Sequence, residues 1–257
     1  MKQHPVLQNT EELEECVRAH YEAVVENDEY KIAQLHEIDS DIKYIVDIGA
    51  NVGCASYQFQ KYYPNAKILV VEPEPECMKL AKLNTGNKLT YVQKAVIDDP
   101  KKKTVTFNVC HWAGNGHVDG HFRWDLFEPM GSRKVKEIKV EATTLKKLLE
   151  DHKFPRIDLL KIDCEGYEGL ILQSFKPHMK LVKHFRGEWH GSDDIPRIED
   201  ALKDTHDMKF DHGYTTHGDV FATRKNFKVK SAEPFKGFTD PDGKFRILPN
   251  GKRQIIA

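Results

Sequence analysis

The stretch V-D-I-G-A-N-V-G at residues 46–53 decides how this chain is read, because it leaves an apolar run, Tyr44-Ile45-Val46, through an acid, an asparagine and two glycines. Gly49 and Gly53 allow backbone angles and close approaches that a side chain would block. Such a turn is either a cradle for a ligand or a tight strand-to-helix connection with nothing against it.

Outward from this turn the chain alternates short apolar runs with segments of helical spacing. Strands are expected at 43–48, 67–72, 89–97, 103–109, 135–141, 157–163, 181–188 and 218–223, and helices near 53–62, 75–84, 143–151, 167–175 and 195–203. That rhythm predicts crossover units, hence an α/β fold with a parallel sheet and helices on both faces. Residues 10–37 carry apolar positions at helical spacing, so 1–40 reads as an N-terminal helical segment before a main domain at 41–224. In the tail, 225–257, Asp-Gly and Asn-Gly turns separate short apolar runs and predict a small β appendage.

Composition excludes several classes. The 257 residues are 39% hydrophobic and 31% charged, which describes a globular chain rather than a disordered one. A net charge of -1 advertises neither nucleic acid nor an anionic membrane as partner. No apolar run approaches a membrane span, and the first residues lack a signal-peptide pattern, so a cytoplasmic location is expected. Cys16, Cys54, Cys77, Cys110 and Cys164 are scattered and odd in number, and read as reduced thiols.

A second acid sharpens the turn's meaning. Glu72 ends the next strand in V-V-E-P-E-P-E, about 20 residues after the glycines, where a carboxylate can accept both hydroxyls of a ribose. Dinucleotides and S-adenosylmethionine both present such a ribose. The dinucleotide pattern G-x-G-x-x-G is missing its middle glycine here, and Asp47 would add negative charge near a pyrophosphate, whereas it suits a cationic amino-acid moiety.

With these residues in view, VDIGANVG, VVEPEPECMKLAKLN, VEATTLKKLLE and above all IDLLKIDCEGYEGLIL resemble the FkbM family of class I S-adenosylmethionine-dependent methyltransferases, over roughly residues 43–190. The resemblance implies a seven-stranded Rossmann-like sheet whose last strand is antiparallel, and methyl transfer, commonly to a hydroxyl of a sugar or natural product. It implies cofactor contacts at Asp47, Gly49, Asn51 and Gly53, ribose binding by Glu72, adenine near Lys94, Ala95 and Val96, and Asp163 and Glu165 at the methyl-transfer end. The loop with His111, His117 and His121 and the tail beyond Lys225 do not match the family.

The block K-I-D-C-E-G-Y-E also speaks for itself. A buried strand ends in Asp163, Glu165 and Glu168, acids placed where ligands collect in an open α/β sheet. Asp163 or Glu165 can take a proton from an acceptor hydroxyl, while Glu168 can equally be a helix-opening acid that favours the dipole. The next strand ends in R-G-E-W-H-G, bringing Glu188 and His190 to the same rim. His190 is an alternative base or a solvated loop histidine with an ordinary pKa, and Glu188 is a candidate for substrate or metal contact.

The irregular stretch 110–133 carries His111, His117 and His121 beside Asp119 and Asp125, a set that can ligate a divalent metal or simply furnish a polar loop. Its aromatic residues suit a lid over the acceptor. The leading expectation is therefore S-adenosylmethionine-dependent O-methylation of a small-molecule or glycan hydroxyl. The alternatives are methylation of a nucleic-acid base, for which the lysines form only fragments of a basic groove, and a non-catalytic S-adenosylmethionine-binding module. No membrane partner is expected, and a homo-oligomer is compatible with the sequence.

Overall fold

The computed structural model describes residues 17–110, 116–119, 134–211 and 217–228, with the backbone of three further strands at 238–239, 245–247 and 253–255. A π-helical turn, Tyr21–Glu26, leads into α1 (Ile32–Ile38), β1 (Tyr44–Ile48), α2 (Cys54–Tyr62), β2 (Lys67–Val71), α3 (Pro75–Asn84) and β3 (Thr90–Val92). Then come β4 (Ala95–Val96), β5 (Thr104–Cys110), β6 (His117–Val118), β7 (Lys134–Thr143), α4 (Leu145–His152), β8 (Ile157–Ile162) and α5 (Glu168–Phe175). A 3-10 turn, Lys176–Leu181, precedes β9 (Val182–His190), α6 (Asp194–Leu202), β10 (His206–Asp211) and β11 (His217–Arg224), and β12 (Phe238–Thr239), β13 (Phe245–Ile247) and β14 (Arg253–Ile255) close the order.

Seven strands form the main sheet in the order β3-β2-β1-β8-β9-β11-β10, parallel except for β11, which is antiparallel to both neighbours. This is the Rossmann-like class I methyltransferase topology. Helices cover both faces, which is why the central strands are near-continuous apolar runs. Successive residues of β1 go to opposite layers. Ile45 packs with Ile32, Leu35 and Phe59 of α1 and α2, and Val46 packs with Leu149, Leu172 and Leu202 of α4, α5 and α6. Strand order reverses between β1 and β8, so their carboxyl ends open the crevice in which such sheets hold ligands.

Several expectations are corrected. The run 89–97 is not one strand: β3 stays in the main sheet, while β4 pairs with β7 in a separate four-stranded sheet ordered β4-β7-β5-β6. The strands at 103–109 and 135–141 belong to that sheet, where β5 and β7 run antiparallel. Much of β7 is exposed, as expected of a sheet with one wet face. Within 110–133, residues 117–118 form an added strand against β5, and His111 and His121 lie outside the described residues. The edge strand β10 was not anticipated, because its residues H-D-M-K-F-D offer only Met208 and Phe210 as apolar signal. The tail forms a three-stranded antiparallel sheet, β12-β13-β14.

The expected helix over 10–37 is broken at 27–31, where Asp28 and Lys31 adopt positive φ. The carboxylate of Asp28 accepts from the N–H groups of Ile32 (2.8 Å) and Ala33 (3.1 Å), capping α1 and ending the previous turn. This break turns Glu29 and Tyr30 toward the carboxyl end of the sheet. Among the described residues no helix is long and apolar enough to cross a membrane.

The N-terminal segment is pinned by Asp39, fully buried, which accepts from Lys183 Nζ (2.6 Å) and His184 Nε2 (3.1 Å) on β9. Burial pushes its pKa up, but His184 and Lys183 outweigh that and hold it at about 2. A lowered folded pKa gives stability that is present above the ordinary carboxylate value and is lost as pH falls toward 2. Asp39→Asn should therefore cost about 2 kcal/mol in urea unfolding at pH 7, with the gap to the native chain closing between pH 4 and pH 2. An equal deficit at both ends of that range would contradict this role.

Candidate active site

The turn after β1 is shaped by what lies behind it. Gly49 takes φ +71°, and a Cβ there would sit 1.7 Å from the Asp163 carbonyl oxygen, so only glycine lets the ends of β1 and β8 approach. The N–H groups of Gly49 and Ala50 both donate to the Val71 carbonyl (3.0 and 3.1 Å). Gly53, also at positive φ, packs on Ala81 of α3, where a Cβ would meet Ala81 Cα at 2.9 Å.

Lys161 lies beneath this turn, in the otherwise apolar β8. Its buried ammonium donates to the Gly49 carbonyl (2.8 Å) and lies 3.5 Å from both Asp47 and Asp163. Burial alone would lower its pKa, but Asp163 and Asp47 raise it, so it stays charged. Asp47 is wholly buried and takes a second bond from Ser56 Oγ (2.5 Å).

A cavity opens beyond the turn. Of the residues assigned to cofactor, Gly49, Asn51, Glu72, Lys94, Ala95 and Val96 line it. Asp47 and Gly53 are not among its lining: Asp47 is spent on Lys161 and Ser56, and Gly53 on helix packing. Both shape the turn from behind. Glu72 is 5% exposed, and its two oxygens accept from the N–H groups of Asn51 and Glu74, each at 2.8 Å. Burial pushes its pKa up to about 7. Each oxygen keeps a further lone pair for a hydroxyl, and Ala95, Val96, Phe107 and Val118 supply an apolar wall. The residues present therefore fit an adenosine-containing cofactor.

Asp163 and Glu165 line the same cavity. Glu165, at φ +55°, and Gly166, at φ +104°, curl the chain so that Glu165 and Glu168 both face His190. Glu168 is completely buried and accepts from the N–H groups of Cys164 (2.6 Å) and Gly166 (2.9 Å). It also takes His190 Nδ1 at 3.0 Å. His190 Nε2 then points to Glu165 and Glu188, each at 3.4 Å. The structure thus gathers all four residues assigned to chemistry.

His190 is not a solvated loop histidine with an ordinary pKa. It is 8% exposed, and although burial alone would lower its pKa, Glu165 and Glu168 raise it well above the usual value. Carboxylates face both of its ring nitrogens, Glu168 at Nδ1 and Glu165 and Glu188 at Nε2. Asp163 is the ionised acid of the group: burial pushes it up, but Lys161 and His190 more than offset this and bring it below the ordinary range. Burial and the neighbouring acids raise Glu165 and Glu188 instead. Glu168 is thus both a helix-opening acid and the partner of His190.

The loop histidine His117 is also corrected. It is buried in β6, where Asn108 Nδ2 donates to its Nε2 (3.2 Å) and Cys110 Sγ lies 3.9 Å from Nδ1, so both ring nitrogens are engaged inside the accessory sheet.

Residues from the N-terminal segment complete the site, and sequence reasoning passed over them. Tyr30 donates its hydroxyl to Asp163 Oδ2 (2.9 Å), and His20 Nε2 faces the Asn51 amide at 3.0 Å. Glu29 gathers with Glu188 and Asp219, which are cross-strand partners on β9 and β11. Lys161 carried a signal, a lone cation inside I-D-L-L-K-I. The others depend on a chain break and on strand pairing with no local signature.

A family model described as the methyltransferase FkbM domain matches residues 47–214. The methyltransferase sdnD of Sordaria araneosa is 30% identical over 186 residues, which cover 63% of this chain and 72% of that protein. Among solved structures, an O-methyltransferase from Bacillus cereus in complex with SAH aligns at 10% identity and a TM-score of 0.48, over 85% of this chain and 93% of its own. A putative caffeoyl-CoA O-methyltransferase from Staphylococcus aureus aligns at 13% identity and a TM-score of 0.47, over 84% and 93%.

The Lys161 contacts make a stability prediction. Lys161→Met leaves the buried Asp47 without its cation and should cost about 3–5 kcal/mol in chemical denaturation. Adding Asp47→Asn removes the stranded charge and should recover part of that loss. A double variant no more stable than Lys161→Met alone would contradict the pairing.

Proposed function

The chain belongs to the FkbM methyltransferase family, and from that premise we propose that it is an S-adenosylmethionine-dependent O-methyltransferase acting on a hydroxyl of a small molecule, natural product or sugar. The observation that carries this reading is one cavity with Gly49, Asn51 and Glu72 on one side and Asp163 and Glu165 on the other. Donor recognition and proton acceptance would meet there.

When bound, S-adenosylmethionine supplies an electrophilic methyl group on a sulfonium. Glu72 would accept the ribose hydroxyls, Ala95 and Val96 would pack on the base, and the 49–51 turn would receive the amino-acid end. Asp163, kept ionised by Lys161 and oriented by Tyr30, would take the proton of an acceptor hydroxyl as that oxygen bonds to the methyl carbon and the sulfonium–methyl bond breaks, leaving a neutral thioether. His190, held from behind by Glu168, would position Glu165 and Glu188, which its Nε2 faces at 3.4 Å.

The rim also weighs against nucleic acid as acceptor. It presents the acids Glu29, Glu165, Glu188 and Asp219, where a nucleic-acid enzyme needs lysine and arginine for the phosphates. A non-catalytic binding module would keep Glu72 and the Lys161-anchored turn but would have no need of an ionised Asp163 held by Tyr30 in the same cavity.

Two measurements test the reading. In calorimetry with S-adenosylhomocysteine, Glu72→Ala should weaken binding by roughly 1–3 kcal/mol. The ionised Glu72 that accepts both hydroxyls is present above its pKa of about 7 and lost below it, so affinity should fall from pH 8 to pH 6, and Glu72→Ala should flatten that dependence. Unchanged affinity in the variant would remove the donor assignment. Once an acceptor is found, Asp163→Asn should lower single-turnover methylation roughly 10²–10⁴-fold with donor affinity nearly intact. Normal turnover would move the base elsewhere.

A further inference from the structure

Asp163, Glu165, Glu188 and His190 gather at one rim, with Glu168 behind them. Glu168 fixes His190 from behind: its carboxylate is fully buried, held by two backbone N–H groups, and takes Nδ1. A carboxylate on one ring nitrogen is the arrangement that orients a metal-ligating histidine and aims the other nitrogen at the ion. Here Nε2 is aimed at Glu165 and Glu188, 3.4 Å from an oxygen of each.

Those distances suit a shared ion better than a shared proton. Nε2 offers a single site yet faces two carboxylates at once, each at 3.4 Å. Ligands about 2.0–2.2 Å from a divalent ion stand roughly 3.0–3.5 Å from one another in tetrahedral or octahedral shells. Asp163 completes the set, since donor atoms of Asp163, Glu165 and His190 all lie within 4.8 Å of one another. The described contacts of Asp163 with Tyr30 and Lys161 fall on Oδ2, which leaves Oδ1 for the ion.

We propose that His190 Nε2, Glu165 and Asp163 form a binding site for one divalent cation, with Glu188 at its edge. One imidazole nitrogen with carboxylate oxygens suits Mn²⁺, Fe²⁺ or Zn²⁺. An organic ammonium would gain little from the imidazole, which is why an ion is favoured. The site's purpose rests on the methyl-transfer reading: the ion would hold and polarise the acceptor oxygen. Its existence does not depend on that reading.

The full chain, stripped of metal with EDTA and dialysed free of chelator, is titrated with MnCl₂ and followed by the loss of the free-ion EPR signal. One Mn²⁺ per chain is expected, bound at least tenfold more weakly in His190→Ala and in Glu165→Gln. Glu165→Gln is nearly isosteric and guards against misfolding of the histidine variant, and thermal melting with S-adenosylhomocysteine binding checks that each variant is folded. Absence of stoichiometric Mn²⁺ binding at 1 mM, or equal binding by folded variants, overturns the proposal. A chain that binds S-adenosylhomocysteine but not Mn²⁺ fails this proposal alone, whereas one that binds Mn²⁺ and no adenosyl ligand fails the methyltransferase reading alone.

Discussion

The ammonium of Lys161 is the contact on which the rest of the site depends. It lies where β1 and β8 part, and it binds the carbonyl of Gly49 on one strand end and faces Asp163 on the other. Three acceptors around one buried cation make a fixed point, because moving any of them strands charge in a dry interior. The contact needs a close approach of the two strand ends, and Gly49 permits it by having no Cβ to strike the Asp163 carbonyl. From that fixed point the Asn51 N–H reaches Glu72, and Asp163 is presented as an ionised acid. One cation thus sets the donor side and the acceptor side together.

The N-terminal segment extends this arrangement from outside the central sheet. Its chain break at 27–31 carries Tyr30 over the Lys161 ammonium, 5.3 Å from the ring centroid, and lays the phenol on Asp163. Burial, then Asp163 and Glu188, push the phenol's pKa far above its ordinary value, so it remains a donor. Asp39 ties the same segment to β9, the strand that ends in Glu188 and His190. A helical segment that its sequence places before the main domain therefore carries part of the site.

The parts of this protein legible in its sequence are those set by local pattern. The apolar runs of β1, β2 and β8, the glycine turn, Glu72 at a strand end and the acids after β8 all declare themselves within a few residues, because burial on both faces leaves a continuous apolar signal. The accessory sheet did not, since β5 and β7 look like any strands until their partners are known. His117 looked like a loop ligand because nothing local announces its pairing with Asn108. Asp47 and Gly53 were assigned to ligand contact from the motif, while their packing turns them toward Lys161, Ser56 and Ala81. The raised pKa of His190 arises from carboxylates on two different strand ends, which only the strand order brings together.

The most direct test is a crystal structure of the chain with S-adenosylhomocysteine. The account predicts the ribose hydroxyls on Glu72, the adenine against Ala95 and Val96, and the amino-acid end at the 49–51 turn, with Lys161 still on the Gly49 carbonyl. An adenosyl ligand seated outside this cavity, or one inside it that makes no contact with Glu72, would contradict the central claim that the Lys161-anchored turn builds the donor site.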